Sequence, residues 1–359
     1  MIETDMRELT INGKLYSEEE LPKHCASQLS ISDFQWERDV YSFILEWLDS
    51  KETIVAHTSG STGEPKLMDL SKGRMINSAQ LTGEYFKFEK GQTALLCLST
   101  NFIAGKMMVV RAFLWQLNLI LVDPNGHPLN NLKDKIDFAA MVPLQVINCL
   151  KDGVDFGLIA NLLIGGGAVD ANLEDQLQEL PTKCFSSYGM TETVSHVAIK
   201  PLNGNSKSEY YQGLGNVTFS LDKRACLQIT APQIISKVIC TNDVVELVDE
   251  KHFVWLGRYD NVVNSGGVKL FPEKIEEKLR DVISDPFFIT GIRDELLGQK
   301  LVLIIEKDNQ SSEYVSNLLA KIKGLLGKYE QARAIIFIQE FKRTPNGKLQ
   351  REATASMLK

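Results

Sequence analysis

The sequence predicts an α/β protein: a large N-terminal α/β domain with parallel-rich sheets plus a small β-strand lobe, followed by a small α+β domain. Three observations predict it. Between residues 53 and 190, short β-branched or apolar runs alternate with helix-length segments, the pattern of strands joined by crossover helices. From residue 225 to 256 the helical segments give way to a run of short strand candidates. At 359 residues the chain can build two domains with separate cores.

The elements run in order. Ser30-Ile31-Ser32 is expected to lead into a helix that includes residues 41 to 48, whose apolar spacing makes one buried face. Residues 53 to 57 read as a strand. Ser71 is placed to cap a helix through Tyr85. Residues 93 to 98 read as a buried strand, an apolar helix runs from Ala104-Gly105 to Trp115, and residues 119 to 122 and 138 to 142 are further strands. Leu162-Leu163-Ile164 runs into Gly165-Gly166-Gly167, where a tight turn or close approach of backbone to a flat ring would each suit glycine. Residues 170 to 180 read as a helix and 201 to 215 as a surface loop. Beyond Gly257, Pro272 starts a helix. Residues 301 to 305 and 334 to 338 are strand candidates, with a helix near 313 to 326 between them.

Composition narrows the function. Hydrophobic content of 44% and charge of 24% are ordinary for a globular protein, and a net charge of −7 argues against a general binder of nucleic acid or anionic membrane. The six cysteines are scattered without a C-x-x-C pair, and most sit in apolar runs, as buried free thiols do in a reducing cytoplasm. The five histidines form no zinc pattern. The first residues are acidic and lack the apolar run of a signal peptide. The segment near 113 to 122 is interrupted by Gln116 and Asn118 and is too short to span a bilayer.

The chemistry concentrates in a few stretches. Thr58-Ser59-Gly60-Ser61-Thr62-Gly63-Glu64-Pro65-Lys66 comes after a strand and offers bare N–H groups, hydroxyls and a lysine, a surface suited to polyphosphate. It is not the common phosphate loop: Pro65 replaces the glycine before the lysine and Leu67 replaces the magnesium-binding hydroxyl, so no helix should start there. A flexible Ser/Gly linker is the alternative on this stretch alone. In Ser187-Tyr188-Gly189-Met190-Thr191-Glu192, Tyr188 offers an aromatic face, Thr191 a hydroxyl and Glu192 a hard oxygen ligand for magnesium. Arg111 sits inside an apolar helix. Its position alone favours a surface arginine over a guanidinium aimed at a substrate carboxylate.

Taken together, these stretches resemble the adenylate-forming superfamily of acyl-CoA synthetases, adenylation domains and luciferases. The loop at 58 to 66 is succeeded in family order by Tyr188-Gly189-Met190-Thr191-Glu192, Thr241-Asn242-Asp243, Gly257-Arg258-Tyr259-Asp260-Asn261, Ser265-Gly266-Gly267 and Thr344-Pro345-Asn346-Gly347-Lys348. The resemblance implies ATP, Mg2+ and CoA. Thr58, Ser59, Gly60, Ser61, Thr62, Gly63 and Lys66 would hold the β- and γ-phosphates. Gly165, Gly166, Gly167 and Tyr188 would lie against adenine and Ser187, Gly189 and Met190 would also bind ATP, with Thr191 near the α-phosphate and Glu192 on the metal. Asp243 and Arg258 would bind ribose, and Asp260 would be the pivot between residues 1–257 and 258–359. Lys348 would bridge carboxylate and α-phosphate in the first step. Ser265, Gly266 and Gly267 would line a pantetheine tunnel in the second. Asn242 departs from the family's usual glycine, a mild change if it sits in a left-handed turn.

Only residues 1 to 57 precede the loop, fewer than in most of the superfamily, so an N-terminal subdomain is expected to be reduced or absent. That compact plan, with Arg111 in its helix, looks most like the 2-succinylbenzoate–CoA ligases of menaquinone biosynthesis, whose acid keeps a second carboxylate for Arg111 to bind. Asn101 stands where a histidine is usual there. Other aryl- or acyl-CoA synthetases, an adenylation module loading a carrier protein, and a non-catalytic nucleotide sensor are the alternatives. The partners expected are small molecules, not nucleic acid or membrane, in a cytoplasmic protein that could self-associate.

Overall fold

The computed structural model describes residues 7–57, 67–343 and 349–358. Its centre is a thirteen-stranded sheet. Parallel pairing links six strands side by side: Leu9–Ile11, Asn118–Leu121, Thr93–Leu96, Ile136–Met141, Ile159–Ile164 and Lys183–Gly189. These strands are apolar on both faces because both faces are covered. Ala94, Leu96, Phe138, Ala140, Leu163 and Phe185 join one core. Their neighbours Leu95, Cys97, Ala139, Met141, Leu162, Ile164 and Cys184 join a second core. The side-chain period of two assigns them.

The other end of the sheet is antiparallel. His196–Pro201 pairs with Lys183–Gly189, and Tyr211–Gly213 connects it to His252–Arg258. Ile239–Leu247, Cys226–Thr230 and Thr218–Leu221 complete that end. The β-strand run expected at 225 to 256 is therefore continuous with the large sheet, and the expected surface loop at 201 to 215 contributes a three-residue strand to it.

The helix Ile103–Trp115 is buried along most of its length. It packs closely on Lys72–Phe86, where a Cβ on Gly83 would lie 2.0 Å from the Trp115 ring. Ser71 occupies the N-cap position of the latter helix but makes no side-chain cap bond. The N-terminal helical region is split into Glu20–Ile31 and Gln35–Leu48, so Ser30 and Ile31 end one helix instead of starting the other. The strands Thr53–His57 and Leu67–Ser71 pair antiparallel across residues 58 to 66, which lie outside the described residues. Leu67 thus opens a strand and not a helix, in keeping with its replacement of the hydroxyl that starts a P-loop helix.

Residues from 263 onward form a separate five-stranded sheet, Val263–Ser265, Val268–Leu270, Phe287–Asp294, Gly298–Glu306 and Ala334–Ile338. One face packs on Pro272–Leu279 and Ser312–Lys323 through Ile275, Leu279, Leu318 and Ile322. The other face holds Phe288, Val302, Ile304 and Phe341. Pro272 opens its helix as expected. Among the described residues no helix is long and apolar enough to cross a membrane.

Candidate active site

The candidate residues of the large sheet gather beyond the carboxyl ends of its parallel strands, where open α/β sheets bind ligands. Gly165-Gly166-Gly167 leaves the strand Ile159–Ile164, and Met190-Thr191-Glu192 leaves the adjacent strand Lys183–Gly189. The two turns touch. Ser187 Oγ donates to the Ile164 carbonyl at 3.2 Å, and a Cβ on Gly165 would lie 2.2 Å from that Oγ. Gly166 is left-handed, with φ +77°. Gly167 has neither constraint and is exposed, which leaves its backbone open to a flat ring. Gly189 is glycine because a Cβ would meet His196 Cα at 2.4 Å.

Tyr188, Asp243 and Arg258 converge, although 55 residues separate the first two. The Tyr188 hydroxyl donates to Asp243 Oδ2 at 2.6 Å, and Trp255 Nε1 donates to Oδ1 at 3.2 Å. Arg258, opposite Asp243 in the ladder, places Nη1 3.6 Å from Oδ1. Burial and the Asp243 charge push the Tyr188 hydroxyl well above its ordinary pKa, so it stays a donor. The Tyr188 ring meets Phe253 edge-on at 5.1 Å, which fixes its plane. Trp255 does not stand out in the sequence; its only signal is an indole three residues before Arg258.

Asn242 lies within the strand Ile239–Leu247 and not in the left-handed region. The expectation of a left-handed turn is thus corrected: the strand ladder holds φ negative, and the consequence of asparagine lies in its side chain.

Thr191 is buried and Glu192 exposed, with no hydrogen bond to the Glu192 carboxylate among the described residues. Below them Thr193 Oγ1 receives the Met190 N–H at 2.9 Å and lies 2.7 Å from the Ser195 carbonyl. Val194 is buried at φ +64°, ψ −52°, an outlier for a β-branched residue, while Ser195 N–H reaches the Thr193 carbonyl at 2.7 Å. This strained turn fixes the direction of Ser195.

Ser195 receives Arg111. Arg111 is 2% exposed, so the surface-arginine reading is corrected: its head is turned inward to the Ser195 turn that leads into the strand His196–Pro201. Arg111 Nη2 donates to Ser195 Oγ at 2.9 Å, and Nε has no partner among the described residues. No carboxylate pairs with it among the described residues. Burial pushes its pKa down to about 10. Ser195 Oγ lies 3.3 Å from His196 Nδ1, His196 Nε2 lies 3.2 Å from Thr82 Oγ1, and Thr82 donates to the Ser78 carbonyl at 3.1 Å. With Thr82's proton committed to Ser78, His196 carries its proton on Nε2 and is neutral. Burial and the Arg111 charge hold its pKa well below the usual histidine range. Asn101, by contrast, is exposed and donates to Asp39 at 2.7 Å.

In the small sheet, Ser265 ends a strand and Gly266-Gly267, at φ +57° and +84°, form a two-residue hairpin turn. Turn geometry alone requires both glycines. Gly266 N–H donates to the Leu297 carbonyl, in the turn between the strands Phe287–Asp294 and Gly298–Glu306. Asp260 lies in the short turn Tyr259–Asn261 after Arg258. Lys348 and the rest of 344 to 348 lie outside the described residues, as do all the loop positions from Thr58 to Lys66.

The architecture matches solved adenylate-forming enzymes. The o-succinylbenzoate CoA synthetase of Bacillus subtilis, solved with an acyl-adenylate intermediate, superposes with a TM-score of 0.76 over 96% of this chain and 94% of that one; at 16% identity the likeness is one of fold. An acyl-CoA synthetase (AMP-forming)/AMP-acid ligase II-like protein from Dyadobacter fermentans is 36% identical, covering 94% of this chain and 98% of that one, with a TM-score of 0.63. Residues 16–222 match the AMP-binding enzyme model, and the chain belongs to that family. Among curated relatives, the 2-succinylbenzoate–CoA ligase of Escherichia coli is 27% identical over 77% of this chain, and that of Bacillus cytotoxicus 25% over 85%. The matches span 64% and 70% of those proteins' own lengths.

Proposed function

We propose that this chain is an AMP-forming carboxylic acid–CoA ligase whose acid carries a second carboxylate, and that 2-succinylbenzoate is that acid. The observation that carries the choice of acid is the buried Arg111 guanidinium with no carboxylate partner among the described residues. A planar cation held in a low dielectric favours a carboxylate brought by the ligand. The names of the curated relatives support the same acid, and support CoA over a carrier-bound thiol.

In the first step a carboxylate oxygen attacks the α-phosphorus of ATP, and the bond to pyrophosphate breaks. Charge grows on phosphate oxygens, so the protein acts by positioning and electrostatics. The Gly165–Gly167 turn and Tyr188 would seat adenine, Asp243 and Arg258 the ribose, and Thr191 the α-phosphate. Residues 58 to 66 would hold the distal phosphates. Glu192, a single exposed carboxylate with no hydrogen bond among the described residues, fits magnesium that keeps waters and phosphates as its other ligands. Magnesium there would neutralise phosphate charge. Lys348 would bridge the two reactants. In the second step a thiol displaces AMP after residues 258–359 rotate about Asp260; the separate sheet and cores of that segment support treating it as a domain apart from residues 1–257. A cytoplasmic location accords with the buried free thiols.

The test is acid-dependent pyrophosphate release. 2-Succinylbenzoate should drive it and benzoate should not; release with benzoate or acetate alone would remove the assignment. Lys348→Ala should cut adenylate formation by more than about a hundredfold, the scale of a lost charge-stabilising group, while sparing thioester formation from supplied acyl-AMP.

A further inference from the structure

The turn before Cys226–Thr230 carries an arginine that links this turn to the next strand and to the ring of Tyr259. Asp222 receives Arg224 N–H and Cys226 N–H on Oδ1, at 2.8 and 2.9 Å, which closes the turn. Ala225 sits at φ +65° within it, a conformation alanine adopts only when its surroundings demand it. One edge of the Arg224 guanidinium meets Asp222 Oδ2, with Nε at 2.9 Å. The opposite edge meets the next strand: Nη1 donates to Asn242 Oδ1 at 2.9 Å and Nη2 to the Thr241 carbonyl at 3.1 Å. Its face lies 5.1 Å from the centre of the Tyr259 ring, inside cation–π range.

These contacts settle which way the Asn242 amide points. Its oxygen faces a donor that cannot act as acceptor, so its nitrogen faces outward, where it donates to Asp260 Oδ2 at 3.1 Å. Arg258 Nη2 lies 4.0 Å from the same carboxylate oxygen, and its Nη1 lies 3.6 Å from Asp243. The pivot carboxylate is thus held from one side by Asn242 and from the other by an arginine that also faces the ribose carboxylate. A glycine at 242 would lack the first of these holds.

We propose that Arg224 and Asn242 are positioning residues that set the resting orientation of the pivot, with Arg224 acting only through Asn242 and Tyr259. Nucleotide that draws Arg258 toward ribose would then leave Asn242 as the principal hold on Asp260. The proposal rests on the ligase reading above, and in particular on rotation about Asp260 between two half-reactions.

The experiment compares full-length wild type, Asn242→Gly, Arg224→Gln and the double variant. Adenylate formation and thioester formation from supplied acyl-AMP are measured separately, together with amide hydrogen exchange of residues 257 to 262. The expected result is a change of at least about threefold in the ratio of the two rates in each single variant, faster exchange at the pivot, and a double variant whose effect falls short of the sum of the two single ones, as for two members of one network. Two half-reactions that fall together, additive effects, or an unchanged ratio would overturn it, whatever the exchange shows. Absence of acid-dependent adenylate in the wild type would instead overturn the ligase reading. Exchange in the four proteins would then still report whether the two side chains hold the pivot.

Discussion

Arg111 is buried and Arg351 half-buried, and the two keep opposite company. Arg351 faces Glu276 with two hydrogen bonds, Nη1 to Oε1 at 2.5 Å and Nη2 to Oε2 at 2.6 Å, and lies over the Phe288 ring. Glu276 Oε1 also receives the Ile289 N–H at 2.7 Å. Burial disfavours both charges: the Glu276 bonds outweigh it at Arg351, whose pKa lies above the ordinary value, while at the more deeply buried Glu276 burial wins and the carboxyl pKa is also raised. Among the described residues Arg111 has one hydroxyl, a neutral histidine beyond it and an unpartnered Nε, and its pKa falls to about 10. A cation with an internal carboxylate ties elements together: here it fastens the helix Arg351–Ala355 to Pro272–Leu279. A cation without one is a cost to the fold, which is how a site for an incoming anion differs from a structural pair.

That difference predicts opposite signs. Glu276→Gln leaves the Arg351 charge largely buried without its counter-ion, and should destabilise the C-terminal segment by about 3–5 kcal/mol. Urea unfolding followed by a probe in that segment measures it. Glu276→Leu with Arg351→Met should recover most of the loss. If the single change costs nothing, the pair is not a tie and the comparison collapses.

Arg111→Met sharpens the other half. It keeps the packed stem and removes a charge that nothing in the described protein compensates, so stability should stay level or rise. Affinity for a two-carboxylate acid should fall by about 2 kcal/mol, the worth of a charged hydrogen bond, or roughly 30-fold in KM. KM for ATP should not move. A variant that unfolds, or that keeps its KM for 2-succinylbenzoate, would make Arg111 a structural cation after all.

How much of the fold and site is legible in the sequence depends on the range of each interaction. Strands such as Ile136–Met141 and Ile159–Ile164 announce themselves because burial on two faces leaves only apolar side chains. Tyr211–Gly213 does not, since three residues become a strand only by lying between His196–Pro201 and His252–Arg258. Tyr188, Asp243 and Arg258 stand out by motif, and the fold brings them within bonding distance. Ser195 and His196 lie just beyond that motif yet carry no signal of their own. What gives them meaning is Arg111, 84 residues from Ser195, and periodicity holds no trace of such a pairing. Arg111 itself is misread from sequence for the same reason, because an arginine in an apolar helix looks alike whether its head reaches water or a core. Arg224 is a turn arginine until the strand beside it is in place.

The smallest effect tests the neutral histidine that accompanies Arg111. His196 binds its proton less readily folded than unfolded, so below the ordinary histidine pKa near 6.5 the unfolded chain takes up more protons. Stability then rises with pH through that region and is lost as pH falls, by at most about 1.4 kcal/mol per pH unit for this one group. The dependence should flatten in His196→Gln, whose amide can accept from Ser195 and donate to Thr82 without titrating. Arg111 works in the same direction but at the other end of the scale: with a folded value near 10 against an ordinary 12.5, its contribution changes only above pH 10. The difference between wild type and His196→Gln in urea midpoints from pH 5 to 8 therefore isolates this histidine, since His24, whose pKa burial also lowers, titrates alike in both. If wild type and His196→Gln have parallel profiles there, His196 does not stay neutral beside the guanidinium. Arg111 would then have a more polar surrounding than its burial implies, and less reason to wait for a ligand's charge.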